Sequence, residues 1–325
     1  MSEPSETTPG RGSGATLRSS GEDPVESLLP NEEVDSVVSG DTRQASLWSD
    51  AWRQLRRNPI FVVASILLAV LTVMSVFPQL FTNADPLSCD LANSRGGPGT
   101  NGAWFGYDLQ GCDYYANIIY GARVSMAIGL LVVGGALVIG VVLGALAGFY
   151  GGWFDSLMSR VTDIFFGLPL ILGAIILLNA FTGERGLFQV SLALIAFGWM
   201  TMLRLLRSSV ISAKSTDYVQ AARALGANDW RIITTHILPN AIAPLLVYAT
   251  IAIGGIIAAE ATLSFLGIGL QKPSISWGLQ ISEARNFVRT SPFLLVIPSI
   301  FLSVTVLCFI MLGDALRDAL DPKLR

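Results

Sequence analysis

The chain has 325 residues, of which 52% are hydrophobic and only 14% are charged. Uncharged apolar runs such as 60–80 and 124–148 are long enough to cross a hydrocarbon core of about 30 Å. These runs exclude a soluble globular enzyme and a disordered protein. They also exclude an outer-membrane barrel, whose strands would be segments of about ten residues with alternating hydrophobicity. The formal net charge of −3 combines an acidic N-terminal segment with a mildly basic remainder. The arginines are scattered and not interleaved with aromatics, so we expect no nucleic-acid partner.

The N-terminal segment changes character near residue 47. Residues 1–46 are rich in Ser, Gly, Pro, Glu and Asp, and they bury too little apolar surface to offset their ordering entropy. We therefore expect a disordered acidic cytoplasmic tail. In residues 47–59, Trp48, Trp52 and Leu55 share one helical face and arginines lie beside it. That pattern predicts an amphipathic helix at the membrane interface.

The rest of the chain predicts an all-α membrane protein with six transmembrane helices. The six apolar segments run over about 60–81, 124–150, 161–181, 187–206, 241–266 and 292–312. Residues 60–123 then hold the first span and a long extracytoplasmic segment, and residues 124–325 hold the core with an inner loop at 207–240. Eleven basic residues fall on one side of the membrane and six on the other. This bias favours both termini in the cytoplasm.

Within the spans, Pro169 is expected to kink the third helix. Gly140, Gly144 and Gly148 lie four residues apart on the second span, which predicts a flat surface for close helix packing.

The inner loop predicts two short helices. The first has apolar residues at i, i+3, i+4 and i+7, namely Tyr218, Ala221, Ala222 and Leu225. Gly226 can end this helix in the left-handed conformation. We expect Asp229 to cap a second helix, whose apolar face would be Trp230, Ile233 and Ile237. Such a pair is too polar to cross a membrane and too apolar on one face for water alone, so it suits a groove on a partner.

This loop also carries a resemblance to a known family. Gln220-Ala-Ala, then Gly226, then His236-x-Leu238-Pro239, resembles the signature cytoplasmic loop of the permease subunits of bacterial binding-protein-dependent ABC importers. The family has glutamate where this chain has Gln220, and isoleucine where it has His236, with the same spacing. Motifs at 106–113, 260–269 and 313–325 are similar to the dipeptide, oligopeptide and nickel branch, so the resemblance covers residues 52–325.

The resemblance implies a type I ABC importer permease fold and a non-catalytic subunit in the bacterial plasma membrane. Its implied partners are membrane lipid, a second homologous permease, two cytoplasmic ABC ATPase subunits and an extracytoplasmic peptide-binding protein. The ATPases would hold ATP and Mg, so we expect no cofactor in this chain, which has no phosphate-binding glycine loop followed by Lys-Ser/Thr. The ATPase-coupling residues that the resemblance implies are Tyr218, Gln220, Ala221, Ala222, Leu225, Gly226, His236, Leu238 and Pro239.

Cysteine and acidic residues outside this loop carry further expectations. The family pattern has arginine where Cys112 stands, and Cys89 lies in the same outer segment, which suggests a disulfide. Cys308 is mid-span and is expected to pack as a small apolar residue. Three cysteines and one histidine, without metal-ligand spacing, predict no metal site. Glu260 lies deep in the fifth span, where it is either a gate or binding-protein contact, or a group with a buried hydrogen-bond partner.

The resemblance implies a permease subunit of an ATP-driven importer of dipeptides or oligopeptides, which would form the translocation path with the second permease. Three alternatives remain open. The same branch includes permeases for nickel and other small solutes, but one histidine and seven scattered methionines give little sign of a metal path. An ATP-independent secondary transporter would show matched half-repeats around an ion site at the midplane, and neither is evident. A non-transporting membrane scaffold would not need the signature loop.

Overall fold

The computed structural model describes residues 52–181, 183 and 185–320. The predicted tail at 1–46, the first five residues of the predicted interfacial helix and residues 321–325 lie outside this part of the chain. Residues 52–55 are helical, and Leu55 packs with Ala315 and Ala319 of the last helix. The Arg56 guanidinium lies 4.6 Å from the centroid of the Trp52 ring.

The described chain is helical, with short 3-10 turns between some of the helices. In chain order these helices are α1 (Pro59–Val76), α2 (Tyr114–Tyr150), α3 (Gly152–Phe166), α4 (Leu170–Ala180), α5 (Leu187–Lys214), α6 (Asp217–Ala224), α7 (Asp229–Arg231), α8 (Leu238–Ala241), α9 (Ala243–Phe265), α10 (Trp277–Ala284) and α11 (Phe293–Leu320). Five of them, α1, α2, α5, α9 and α11, are long and apolar enough to cross a membrane. The bent pair of α3 and α4 makes a sixth candidate span. The predicted all-helical membrane fold is thus confirmed.

The second span begins earlier than predicted. Its helix starts at Tyr114 and not near residue 124, because the Asp113 side chain accepts a hydrogen bond from Ala116 N at 3.1 Å and caps the helix there. At about 1.5 Å per residue, the 37 residues of α2 extend about 55 Å, so the helix is longer than a membrane core is thick. Arg123 of this helix donates hydrogen bonds to the carbonyls of Ser75 and Val76 at the end of α1. An arginine at that place satisfies carbonyls that a helix end leaves free.

The glycine surface on α2 packs against α5. A Cβ added at Gly140 would lie 2.6 Å from Met202 Cβ, and one added at Gly144 would lie 2.8 Å from the Leu203 carbonyl oxygen. A Cβ at Gly148 would meet the Arg207 carbonyl oxygen at 2.9 Å. All three distances are shorter than contacts that real Cβ atoms make. The two helices therefore approach so closely that only glycine fits at these positions.

The third span is broken, where one kinked helix over 161–181 was expected. Helices α3 and α4 meet at 88° across Gly167, Leu168 and Pro169. Pro169 was expected to kink this span, and its ring also disfavours a helical conformation at Leu168. The break is therefore a corner between two short helices. Two ion pairs fasten α3 to α5: Arg204 Nη2 lies 2.6 Å from Asp163 Oδ1, and Arg207 is bonded to Asp155.

Two helices run further than predicted at their C-terminal ends. Helix α5 continues to Lys214, so residues 207–214, the first part of the expected inner loop, are helical. Helix α11 continues to Leu320 and includes the buried Pro298. Neither extension contains a proline that would end the helix, and hydropathy alone does not count their polar residues as span.

The core has two parts. One lies among α2, α4, α5, α9 and the inner-loop helices, and the other among α1, the first turns of α2, α10 and α11. Trp277 belongs to the second part. It is fully buried and donates from Nε1 to the Ile118 carbonyl at 3.0 Å. Its indole fills a space between α2 and α11.

Candidate functional site

The inner-loop helix α6 is anchored by two small apolar side chains. Val219 and Ala222 are buried and belong to the face that turns inward. Tyr218, Ala221 and Leu225 are exposed, and Leu225 is 88% exposed. The four apolar residues predicted as one face are therefore divided between two faces. The spacing of Val219 and Ala222, i and i+3, is the signal that sequence reasoning missed.

The turn after α6 is fixed by Gly226 and Asn228. Gly226 has φ +82°, as predicted, and a residue with a Cβ is strained there. Asn228, and not Asp229, caps the next helix, since its Oδ1 accepts a hydrogen bond from Arg231 N at 2.9 Å. The turn is one residue shorter than the sequence suggested, so the cap falls at Asn228.

The segment after α7 turns a different apolar face inward from the one predicted. Ile232, Ile233 and Ile237 are buried, whereas Trp230 is 70% exposed. The segment Ile232–Ile237 is a π-helix, in which Leu238 N donates to the Ile233 carbonyl. The π turn shifts the helical register, so Trp230 leaves the buried face. It ends two residues before Pro239, whose ring would clash with the carbonyl four residues earlier in a regular α-helix.

The remaining signature residues are Gln220, His236, Leu238 and Pro239, and two of them make hydrogen bonds within the loop or to the end of α5. Gln220 donates from Nε2 to the Lys214 carbonyl at 3.2 Å. His236 is half-buried in the π-helix, and its carbonyl accepts a hydrogen bond from the Asn240 side chain. Leu238 is half-buried and Pro239 is exposed at the start of α8. Of these four residues, Gln220 contributes a side-chain hydrogen bond to the loop, and His236 contributes its backbone carbonyl.

Three outward-facing side chains, Tyr218, Leu225 and Trp230, make up what we call the coupling surface. Large apolar side chains that are exposed outside the spans are candidates for contact with a partner. Behind this surface lies Phe149 at the end of α2. Its carbonyl accepts a hydrogen bond from Lys214, and the Arg223 guanidinium lies 5.9 Å from its ring centroid. The loop is thus tied to α2 as well as to α5.

Glu260 has buried hydrogen-bond partners, as the second of its two interpretations in the sequence predicts. Its side chain is fully buried, and Oε1 accepts hydrogen bonds from Ser264 Oγ at 2.7 Å and Ser276 Oγ at 3.1 Å. Oε2 has no hydrogen-bond partner among the described residues. Gly278 packs against this carboxylate, since a Cβ there would lie 3.2 Å from Oε2. The carboxylate joins α9 to the segment that leads into α10.

Cys89 and Cys112 form a disulfide in the structure, and 23 residues separate them. The sulfurs join two stretches of the outer segment that also pair through Asp90 N and the Gly111 carbonyl. Cys308 is free and buried, in keeping with its expected packing role. Among the described residues, no group of three or more His, Cys, Asp or Glu side chains is placed to hold a metal ion.

An apolar groove of about 420 Å³ opens between α2, α4, α5 and α9. Its polar groups are few, chiefly the side chains of Thr201, Tyr248 and Thr262. Small residues such as Gly198 and Gly255 keep it open. A groove of this kind can hold a mixed apolar and polar solute, or the helix of a partner subunit.

Residues 140–325 match the family model described as the binding-protein-dependent transport system inner membrane component. The chain belongs to this family. Residues 46–98 also match the N-terminal transmembrane domain of oligopeptide transport permease C. The family matches confirm the resemblance seen in the inner loop, and the structure adds the geometry of the signature residues.

Curated relatives match over most of this permease. It is 38% identical to the dipeptide transport system permease protein DppC of Alkalihalophilus pseudofirmus, over 86% of this chain and 91% of the relative. It is 36% identical to the oligopeptide transport system permease protein OppC of Bacillus subtilis, over 87% and 92%. The glutathione transport system permease protein GsiD of Pectobacterium atrosepticum is 37% identical, over 86% and 92%.

Among solved structures, the permease resembles an inward-facing form of the MetNI methionine ABC transporter. The TM-score is 0.50 at 20% identity, covering 63% of this chain and 97% of that one. At this identity the likeness shows the fold alone, which is that of an ABC importer permease. As a member of its family, the chain is a membrane component of the bacterial inner membrane that acts in a complex with ATPase subunits and a binding protein. ATP is hydrolysed by the separate ATPase subunits.

Proposed function

We propose that this permease is a subunit of an ATP-driven importer for short peptides, and that it forms the translocation path with a second, homologous permease. The names of its relatives, which refer to dipeptides, oligopeptides and glutathione, support a peptide substrate. Two ABC ATPase subunits on the cytoplasmic side and a peptide-binding protein on the outer side complete the proposed complex. ATP and Mg belong to the ATPases in this proposal.

The coupling surface is the observation that carries this proposal. Leu225 and Trp230 remain exposed although they are apolar, and the left-handed Gly226 between them fixes how they point. Apolar side chains on a short helical motif suit a groove on a partner protein. We propose that this groove is on an ATPase subunit. In this proposal Gln220 stabilises the loop and does not contact the ATPase, because its side chain donates a hydrogen bond to the Lys214 carbonyl.

The same arrangement supports an orientation for the permease. With the coupling surface in the cytoplasm, both termini are cytoplasmic and the Cys89–Cys112 disulfide is outside, in a compartment that permits oxidation. The excess of basic residues on the side of the inner loop agrees with this orientation. The apolar groove between α2, α4, α5 and α9 would face the second permease, and we propose that it lines the path.

A co-purification experiment tests the coupling surface. Leu225→Glu places a charge on an exposed position and costs the fold little, and Leu91→Glu does the same in the outer segment, where Leu91 is 76% exposed. With the importer expressed whole, we expect wild type and Leu91→Glu to retain both ATPases. Leu225→Glu should lose them and lose ATP-dependent dipeptide uptake in proteoliposomes. Equal ATPase recovery from both variants would contradict the docking site, and dipeptide uptake without ATP would contradict the importer and favour a secondary transporter.

A further inference from the structure

A second pocket, of about 460 Å³, lies at the inner-loop end of the permease, between the end of α5 and the start of α9. It is open to solvent, and most of its lining residues carry a hydroxyl or a carboxamide group. These polar residues are Ser208, Ser209, Ser212, Thr216, Tyr218 and Asn240. Four of the six are exposed, so a solute in the pocket can reach them.

The pocket continues the apolar groove along the same two helices. On α5, Thr201 of the groove and Ser208 and Ser212 of the pocket are spaced i, i+7 and i+11, which places them on one face of the helix. On α9, Tyr248 of the groove lies one turn from Pro244 of the pocket. At about 1.5 Å per residue, the step from Thr201 to Ser208 is about 10 Å. A solute that leaves the groove along α5 and α9 therefore enters the pocket.

The charge of the two linings limits what they can bind. In the part of the chain that the structure describes, neither lining contains a charged side chain. A phosphate group, whether from a lipid or from a nucleotide, is typically bound by arginine or lysine, and the pocket offers neither. Hydroxyl and carboxamide groups both donate and accept hydrogen bonds. They can therefore pair with the N–H and C=O groups of a peptide main chain, whatever side chains the peptide carries.

The polar groups of the pocket keep hydrogen-bonding capacity for a solute. The Ser208 hydroxyl donates to the Leu205 carbonyl at 2.8 Å, and Asn240 Nδ2 donates to the His236 carbonyl at 2.9 Å. The Ser208 hydroxyl oxygen and Asn240 Oδ1 remain acceptors. Because water competes for exposed groups of this kind, they bind a solute weakly. Weak binding suits a place that a transported solute must leave.

We propose that this pocket is the exit end of the peptide path, where hydroxyl and carboxamide groups bind the main chain of a short peptide as it leaves the groove. Its lack of charge lets peptides with acidic and with basic side chains leave alike. The inference rests on the proposed function for the choice of a peptide as the solute and of the groove as its path. Tyr218 lines the pocket and belongs to the coupling surface, so the exit and the proposed ATPase contact share a side chain.

A charge placed in the pocket tests this role, because a passing peptide would respond to its sign. The variants are Ser212→Asp and Ser212→Lys, and the matched controls are Ser215→Asp and Ser215→Lys. Ser215 is exposed three residues further on and does not line the pocket. The whole importer with its binding protein is reconstituted in proteoliposomes at low salt, since salt screens exposed charges.

The measured quantity is the ratio of ATP-dependent uptake of L-alanyl-L-glutamate to that of L-alanyl-L-lysine. A ratio within one variant cancels effects on assembly or ATP hydrolysis that act on both peptides equally. We expect Ser212→Asp to lower this ratio at least about threefold relative to wild type and Ser212→Lys to raise it at least about threefold, since like charges a few ångströms apart repel. Both Ser215 variants should keep the wild-type ratio. Ser208→Asp, one turn earlier in the same lining, should act as Ser212→Asp does and replaces it if Ser212→Asp alone fails to assemble.

An unchanged ratio in both Ser212 variants would overturn the proposal, as would an equal change in the Ser215 variants. If the pocket instead receives a side chain of an ATPase or a helix of the second permease, the charged variants at both Ser208 and Ser212 will release a subunit on purification, which also overturns it. Absence of ATP-dependent uptake of either dipeptide by the wild-type importer counts against the proposed function. Wild-type uptake with a ratio that the Ser212 charges do not alter counts against this exit site alone.

Discussion

Ser276 Oγ donates a hydrogen bond to Glu260 Oε1 at 3.1 Å, and through it the fifth span holds the segment that leads into α10. Ser276 also accepts a hydrogen bond from Leu279 N and so caps α10. Ser264 plays the matching part on the other side, since it donates to the same Glu260 oxygen and accepts from Leu270 N. One buried carboxylate thereby orients two hydroxyls, which accept hydrogen bonds from Leu270 N, between α9 and α10, and from Leu279 N, in the first turn of α10.

Replacing Glu260 separates its hydrogen-bonding role from its charge. Glu260→Gln keeps an acceptor at Oε1, so we expect a loss of at most about 1 kcal/mol in stability. Glu260→Leu leaves both hydroxyls without an acceptor in a buried site and should cost about 2–4 kcal/mol. Thermal unfolding of the purified permease measures both. Glu283→Gln, which breaks an exposed ion pair, is the control and should change little. Equal stability of Glu260→Leu and wild type would contradict the role.

The contact between α2 and α5 predicts opposite effects of the same substitution at two glycines. Gly144→Ala places a Cβ 2.8 Å from the Leu203 carbonyl oxygen, so the helices must separate and the unfolding temperature should fall. Gly134→Ala meets no atom within 4 Å and should be neutral or raise stability by up to about 1 kcal/mol, because alanine favours a helix. If both variants unfold at the same temperature, the close packing is not what requires glycine at position 144.

The turn at Gly226 predicts a graded series. Gly226→Asn is tolerated, because asparagine adopts the left-handed region, whereas Gly226→Val is strained at φ +82° and should displace Leu225 and Trp230. We expect Gly226→Val to lose substrate-stimulated ATPase activity in the reconstituted importer and Gly226→Asn to keep most of it. Gly97→Val in the outer segment is the control, because no atom lies within 4 Å of a Cβ added there. Comparable activity in both Gly226 variants would show that the backbone conformation there does not set the coupling surface.

The outer disulfide predicts a simple thiol count. Denatured protein purified without reductant should incorporate one maleimide, at Cys308, and reduction before denaturation should raise the count to three. Closing a loop of this length contributes about 3 kcal/mol in the chain-entropy model, so Cys89→Ser should open the outer segment to protease. Cys308→Ser provides the control. Three labels without reduction would show that the pair is not oxidised.

The sequence predicts the family and the spans well because long apolar runs and signature spacing are local properties. The Gly140, Gly144 and Gly148 spacing likewise predicts close helix packing, although not the partner helix. Details that depend on tertiary contacts are different. The inward position of Trp230 was predicted from an α-helical period, but the π-helix before Pro239 changes that period.

Other differences have the same origin. The sequence does not reveal the burial of Trp277, whose indole fills a space between α2 and α11. The hydrogen bond from Gln280 Nε2 to the Asn117 carbonyl joins residues 163 positions apart, so it could not be foreseen either. Hydropathy also placed the start of α2 ten residues late, because the first turns carry polar residues and lie outside the apolar run.

Helix α2 runs without interruption from Tyr114, next to the outer disulfide segment, to Phe149, whose carbonyl Lys214 bonds at the other end. A rod of about 55 Å that tilts by about ten degrees around one end moves its other end by about 10 Å. A displacement of Phe149 that tilts the whole helix would therefore also displace Tyr114 and Asn117, because one unbroken helix carries all three residues.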